Sequence, residues 1–303
     1  MITNGYQGAL DLIVSALLQK NEKIWFEDPC YPHTRSAFEV AGVELVPIPI
    51  DGEGMRVDVG LACAPRARLA VVTPSHQSPL GVALSLPRRL ALLSWAAEAR
   101  AVVIEDDYDG EFHYAGRPLP ALKSLDRDSR VIYAGSLSKV LYPGLRLGYL
   151  VLSDELVGRF EAIMQASSAG VPAFEHRVVT AFMAEGHFAR HLKRMRNLYA
   201  ARRRALAEAL ANVFGDRVAV DLQPGGMHLI ARVADGQRDI ELARKAREAG
   251  LAVESLSNRA IRHRAGKGLL LGFTNVVEAE ALNLCRRLDR AIGKDLRSGG
   301  AAV

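Results

Sequence analysis

The pattern that most constrains this chain is an alternation, sustained over its first two thirds, of short runs rich in β-branched residues with stretches whose apolar residues recur at helical spacing. Strands are expected at 23–26, 43–47, 69–73, 101–105, 131–134 and 145–152. Helices are clearest at 9–18, where Leu10, Ile13, Val14 and Leu17 share a face, and at 86–99, through Leu90, Leu92, Leu93, Ala96 and Ala97. Strands separated by such helices favour a mostly parallel sheet covered on both faces, and hence an α/β large domain.

After Ser153 the character changes to long helices, ending in 187–214, where Phe188, Leu192, Met195, Tyr199, Leu206, Leu210 and Val213 mark one apolar stripe. Its other face carries Lys193, Arg194, Arg196, Arg202, Arg203 and Arg204. That face reads as a solvated helix surface rather than a DNA-binding one, because no second motif helix or glycine turn accompanies it. Strand segments at 218–222, 227–233, 251–254 and 269–273, with helices at 240–249 and 277–292, make a smaller C-terminal α+β domain. The expected division is a large domain over 1–189, a small domain over 190–296 and a frayed tail over 297–303.

Composition excludes several classes. Of 303 residues 49% are apolar and 24% charged, which argues against a disordered or fibrous chain. Thirty-nine basic against 34 acidic residues leave +5, too mild and too dispersed to imply direct nucleic-acid binding. No apolar run is long enough for a membrane span and the first residues do not resemble a signal peptide, so a cytoplasmic location is expected. Cys30, Cys63 and Cys285 lack metal or disulfide spacing and are expected to be buried thiols, and no metal site is anticipated.

The residues that carry chemistry stand at strand ends. Gly135-Ser136-Leu137-Ser138-Lys139 follows the strand at 131–134, seven residues before Arg146. A lysine there suits a phosphorylated aldehyde cofactor: its amine forms a Schiff base, while hydroxyls and a guanidinium hold the phosphate. Taken alone, the motif reads more readily as a surface lysine. Glu105-Asp106-Asp107-Tyr108 ends the preceding strand, and a carboxylate there would face a protonated pyridine nitrogen, with Tyr108 on the ring's phenolic oxygen. A solvated or metal-binding acidic turn is the other reading. Asn4-Gly5-Tyr6-Gln7 opens a helix whose free N–H groups suit an anion, unless Asn4 simply caps it. Tyr31, just beyond another strand, is placed to stack on a flat heterocycle or to sit exposed in its Pro-rich turn.

Together the stretches TNGYQGALDLI, EDPCYP, TPSHQSPLG, IEDDYDGEF, GRPLPAL, GSLSKVLYPGLRLGYLVL, EGHFARHLKRMR and LLLGF resemble, in number, order and spacing, the fold-type I aminotransferases that use pyridoxal 5′-phosphate. The likeness is greatest to the aminotransferase-like domain of MocR-type regulators in the GntR superfamily. It implies a large domain of the aspartate-aminotransferase type, with Lys139 the covalent cofactor lysine and the catalytic base, Asp106 on the pyridine nitrogen and Tyr108 on the phenolic oxygen. It further implies Ser136, Ser138, Arg146 and the helix start at Gly5, Tyr6 and Gln7 around the phosphate, Tyr31 on the ring, and His76 near the cofactor or structural. The implied activity is transamination of a small amino compound or keto acid by a homodimer. The alternative is the effector-sensing domain of a MocR-type regulator lacking its DNA-binding module, and a cofactor-free scaffold would require Lys139 and Asp106 to be incidental.

Departures from the family pattern sharpen these expectations. Cys30 replaces the glycine of EDPGYP, so the tight backbone there is expected to differ. Ser78 and Leu80 alter the loop that normally carries an Asn to the cofactor, and Leu270-Leu271-Gly272-Phe273 lacks the usual carboxylate-binding arginine, leaving Arg259, Arg262 and Arg264 as candidates by charge. The phosphate-binding helix begins at about the fifth residue, where such chains normally run several dozen residues further upstream. An N-terminally shortened or isolated domain is the expectation.

Overall fold

The computed structural model describes residues 1–167 and 173–298. Its first part comprises β1 (Ile2–Asn4), α1 (Gly5–Leu17), β2 (Lys23–Asp28), α2 (Pro32–Val40), β3 (Glu44–Asp51), β4 (Gly54–Met55), α3 (Val57–Cys63), β5 (Leu69–Val72), α4 (Leu86–Ala99), β6 (Val102–Asp107), β7 (Val131–Ser136) and β8 (Leu147–Val151). There follow α5 (Asp154–Ala166), α6 (Ala173–Ala184), α7 (His187–Phe214), β9 (Ala219–Asp221), β10 (His228–Arg232), α8 (Asp239–Glu248), β11 (Val253–Ser255), β12 (Gly268–Gly272) and α9 (Ala281–Ser298). All six strands expected in the first part form within a few residues of their expected bounds. The two-residue β4 and three-residue β1 are too short to leave a periodic signal.

The large sheet runs β1-β8-β7-β6-β5-β2-β3-β4. Strands β3, β2, β5, β6 and β7 are mutually parallel, and successive residues serve opposite faces. Ile24, Phe26, Leu69, Val71 and Ile104 bury against α1, α2 and α5, while Trp25, Ala70, Val72 and Val103 bury against α3 and α4. On the second face Trp25 stacks on Trp95 with ring centroids 3.7 Å apart. This is the α/β architecture the alternation predicts. Helix α4 starts where Ser85 accepts a hydrogen bond from the Arg88 amide and stops at Arg100, whose φ of 52° lies in the left-handed region.

Two antiparallel strands position the site. The parallel strands end together at Asp28, Val72, Asp107 and Ser136, which gathers the loops that follow them on one edge. Strand β8 runs against β7, so the start of β8 rather than its end lies on that edge, with Gly148 opposite Ser136. Strand β1 runs against β8 and pairs Asn4 with Leu147, which delivers the first turn of α1 to the same place. The approach is close. A Cβ on Gly148 would lie 2.8 Å from the Gly5 carbonyl carbon, and Gly5 itself has φ +67°, so both positions require glycine.

The second sheet, β11-β12-β10-β9, is antiparallel and packs on α7, α8 and α9 around Leu210, Phe214, Leu229, Leu271, Phe273 and Ile292. Helix α7 begins and ends where its periodicity predicts, and its first half packs on Leu137, Val140 and Phe112 while its second half enters the small core. One continuous helix therefore serves both sheets, so residue 190 falls inside a shared element. Its basic face is not simply solvated. Arg196 donates to the Glu111 carbonyl at 2.6 Å, and Arg202 and Arg203 donate to the carbonyls of Thr274 and Gln223, tying α7 to loops on both sides.

Helix α9 runs through Ser298, so the expected tail shortens to 299–303, which lies outside the described residues. Cys63 is exposed, contrary to the expectation of three buried thiols, because it ends the short surface helix α3. Among the described residues no group of His, Cys, Asp and Glu is arranged to hold a metal ion, and no helix is long and apolar enough to cross a membrane.

Asp28 joins the two parts. Its carboxylate accepts the backbone N–H groups of Ile261 at 2.7 Å, Arg262 at 2.7 Å and His263 at 2.6 Å. Hydrogen bonds to a charged group contribute about 1.5–3 kcal/mol each, and partly exposed amides recover some of that with water. Asp28→Ala is therefore expected to destabilise the protein by about 3 kcal/mol in urea unfolding. A loss below about 0.5 kcal/mol would show that the 261–263 loop is held by other contacts.

Candidate active site

Four parallel strand ends, the start of β8 and the first turn of α1 surround a cavity of about 670 Å³, closed from the other side by the small sheet. Gly5, Tyr6, Gln7, Tyr31, Asp106, Tyr108, Ser136, Ser138, Lys139 and Arg146, all singled out from the sequence, line it. His76 does not. Its ring is buried behind the cavity, with Nδ1 3.0 Å from Asp109 Oδ1 and Nε2 3.5 Å from His113 Nδ1.

The acidic run at the end of β6 divides into three roles. Glu105 points to the α4 face and accepts the amides of Leu122 and Lys123, each at 2.7 Å. Asp107 accepts the Tyr133 hydroxyl at 2.7 Å and the Gly110 amide at 3.0 Å. Asp106 lines the cavity, and its Oδ1 is buried with no hydrogen-bond partner among the described residues. Burial pushes the Asp106 carboxyl up to about 8, the nearby Tyr6 hydroxyl offsetting part of the rise. The Tyr108 hydroxyl is likewise buried without a partner among the described residues, and burial, with Asp109 and Asp106 close by, keeps it a phenol.

The remaining wall suits an anion. Asn4 makes no side-chain cap at the start of the 13-residue α1, whose first turn lines the cavity and presents its opening N–H groups there. Ser136 Oγ accepts the Ser138 amide at 3.2 Å, which sets both hydroxyls on the turn that carries Lys139. Lys139 and Arg146 are exposed at the cavity mouth and have no ion pair among the described residues.

The loop after β5 is fixed from β2. Glu27 Oε2 accepts from the Thr73 hydroxyl at 2.6 Å and from Gln77 Nε2 at 3.2 Å, which brings Ser78 and Pro79 to the cavity. Burial pushes the Glu27 carboxyl up to about 7. Cys30 stands in the neighbouring turn without a left-handed φ, its amide donating to the Arg259 carbonyl at 3.0 Å. That contact leads to Arg259, the one member of the three candidate arginines that lines the cavity. The small sheet adds residues that sequence reasoning did not single out: Met227 and His228 from the start of β10, Glu254 from β11, and Gly272 and Thr274 around the end of β12. The pairings of His228 with Gly272 across β10 and β12 and of Glu254 with Leu270 across β11 and β12 bring them together, and no linear spacing encodes these.

The raised Asp106 has a consequence for stability without cofactor. A carboxyl whose folded value lies at about 8 contributes stability that is present below about pH 4 and lost as pH rises to about 8. Asp106→Asn abolishes that loss. In thermal melts of cofactor-free protein the variant is expected to gain on the parent by more at about pH 8 than at about pH 5, and a pH-independent difference would contradict the assignment.

The comparisons with known proteins agree with this geometry. Residues 1–266 match the family described as aminotransferase class I and II. The chain is 33% identical over 276 residues to the probable rhizopine catabolism regulatory protein MocR of Rhizobium meliloti, covering 91% of this chain and 56% of that protein. It is 29% identical to aromatic-amino-acid aminotransferase 1 of Thermococcus litoralis, covering 98% and 73%. The crystal structure of Pyrococcus horikoshii kynurenine aminotransferase, in complex with PMP, superposes with a TM-score of 0.88 at 31% identity, covering 98% of this chain and 75% of that one. The chain spans little more than half the length of the first-matched regulators. On its sequence, its large mixed sheet and its strand-end cavity, the chain belongs to the class I and II aminotransferase family.

Proposed function

We propose that this chain binds pyridoxal 5′-phosphate, which members of the family generally use, and transaminates a small amino compound. The observation that carries the reading is the pair of buried polar atoms with no hydrogen-bond partner among the described residues, Asp106 Oδ1 and the Tyr108 hydroxyl, in a cavity that also holds Lys139. Such orphans are costly unless a ligand satisfies them. A protonated pyridine nitrogen and a phenolic oxygen on one ring match an acceptor and a donor of this kind. The opening N–H groups of α1, the hydroxyls of Ser136 and Ser138, and Arg146 match a phosphate.

When bound, pyridoxal phosphate supplies an electron sink for charge developing at a substrate α-carbon. Asp106, ionised against the ring nitrogen, keeps that nitrogen protonated and thereby sustains the sink. Tyr108 donates its hydroxyl proton to the phenolic oxygen. Lys139 Nζ would hold the cofactor and, when an amino substrate takes its place there, would carry the proton from the substrate α-carbon to the cofactor carbon. Tyr31 covers one face of the ring. The division into a large unit over 1–189 and a small unit over 190–296, with the cavity between them, belongs to the same reading. So does a homodimer, the usual assembly of the family; the Tyr142-Pro143-Gly144 turn at the cavity mouth is exposed in the single chain.

A regulator's effector-sensing domain would use the same contacts, and the likeness to MocR favours it as the second reading. Multiple turnovers on an amino-acid and keto-acid pair separate the two, since a sensor binds and does not turn over. For either, purified protein with pyridoxal phosphate is expected to show a visible-range absorption band that Lys139→Ala abolishes, and a band unchanged in the variant excludes this lysine.

Asp106→Asn is expected to slow proton exchange at the substrate α-carbon by more than it weakens cofactor retention, because a charge-assisted bond of about 1.5–3 kcal/mol is lost where charge develops. Asp107→Asn should leave exchange much less affected, since that carboxylate is engaged by Tyr133 and Gly110. Equal exchange rates in parent and Asp106→Asn would remove Asp106 from the role.

A further inference from the structure

Tyr6 is the second residue of α1, and its backbone belongs to the turn that suits the phosphate. Its side chain is engaged elsewhere. The ring lines the cavity and packs on the apolar core of Leu10, Phe26, Phe38 and Ile104, on the α1 face of the large sheet.

Thr34, buried in the first turn of α2, donates from Oγ1 to the Tyr6 oxygen at 3.4 Å. A phenol oxygen that accepts in this way keeps its own proton for another acceptor. The acceptor within reach is the Asp106 carboxyl. Burial, with Asp106 beside it, pushes the Tyr6 hydroxyl well above the usual tyrosine range, so Tyr6 meets a carboxylate only as a donor. The charged neighbours of Asp106 act in the opposite sense: Asp107 and Asp109 from its own segment and Glu27 from β2 all disfavour its charge. Tyr31, Tyr108 and Lys139 share the cavity wall with it. Asp106 Oδ1 remains without a hydrogen-bond partner among the described residues, which leaves an oxygen for the ring nitrogen.

We infer that Tyr6 is a positioning residue that acts through Asp106: its hydroxyl, set by Thr34, keeps the shared proton on the cofactor's ring nitrogen rather than on the carboxyl. In a buried site the pair of carboxylate and protonated nitrogen competes with a neutral pair, in which the proton has crossed to the carboxyl. A donor on the carboxylate stabilises the charged pair far more than the neutral one. The electron sink requires the charged pair. The inference rests on the cofactor reading above, but the coupling of Thr34, Tyr6 and Asp106 is measurable without cofactor.

Cofactor-free protein gives the first readout. Loss of one charge-assisted hydrogen bond changes an ionisation by about tenfold, or about one pH unit. In the parent the stability loss linked to Asp106 is complete at about pH 8, and Tyr6→Phe is expected to extend it to about pH 9. In thermal melts the penalty of Tyr6→Phe should therefore be larger at about pH 9 than at about pH 6, and equal at the two in an Asp106→Asn background. A penalty independent of pH in the parent background, or the same pH dependence without the Asp106 carboxyl, overturns the assignment.

Protein loaded with pyridoxal phosphate carrying nitrogen-15 in its ring gives the second readout. In Tyr6→Phe the nitrogen signal at neutral pH is expected to move from the pyridinium position toward the unprotonated one. Thr34→Val should move it the same way by less, and it reads both contrasts if Tyr6→Phe fails to fold. Thr34→Ser keeps the hydroxyl and should leave the signal at the parent position. A pyridinium signal unchanged in both Tyr6→Phe and Thr34→Val overturns the inference. A parent that takes up no cofactor defeats the cofactor reading instead, and the melts then decide alone on the coupling of Tyr6 to Asp106.

Discussion

A carboxyl group that the fold buries with one oxygen lacking a hydrogen-bond partner among the described residues is the constraint around which the rest of this structure is arranged. Three acidic residues in succession at a strand end would repel one another, and the protein resolves the conflict by giving two of them partners of their own. Glu105 is occupied by two backbone amides and Asp107 by a tyrosine hydroxyl and a turn amide. Asp106 is left in the cavity wall at an elevated pKa. Burying such a group without its full complement of partners costs stability, so Asp106 beside the Tyr108 hydroxyl, which lacks a hydrogen-bond partner among the described residues, reads as stability exchanged for a ligand site.

The sheet supplies the geometry for that site through strand direction. Parallel strands alone would put Tyr31, the loop of Ser78, Asp106 and Lys139 on one edge, but Arg146 and the start of α1 reach that edge only because β8 and β1 reverse direction. Gly5 and Gly148 make the reversal possible by allowing the backbones to touch. The small sheet then closes the cavity, and it is fixed to the large one by hydrogen bonds to Asp28 and by the arginines of α7 rather than by apolar packing alone.

The sequence was most legible where chemistry and strand ends coincide. Lys139, Asp106 and Tyr108 each follow or close a β-branched run, and position relative to a parallel strand is itself a local signal. His76 stands in the TPSHQSPLG stretch after another parallel strand but answers to Asp109 and His113, partners that only tertiary structure supplies. The arginines of α7 read as a solvated face because helical periodicity records which side is polar and not what backbone carbonyls lie opposite. Arg259 could be named by charge but not preferred over Arg262 and Arg264, since the distinction depends on which side of a turn meets Tyr31. Glu254, Met227 and His228 gather by antiparallel pairing between distant segments, which leaves no spacing to read.

The central claim is that Asp106 exists to hold a protonated ring nitrogen. It is tested most directly by the nitrogen-15 NMR signal of pyridoxal phosphate labelled at that atom and bound to the protein. The account predicts a pyridinium shift that persists well above the pH at which the free cofactor loses this proton, and that reverts to the unprotonated position in Asp106→Asn. An unprotonated nitrogen in the bound parent protein at neutral pH would contradict it.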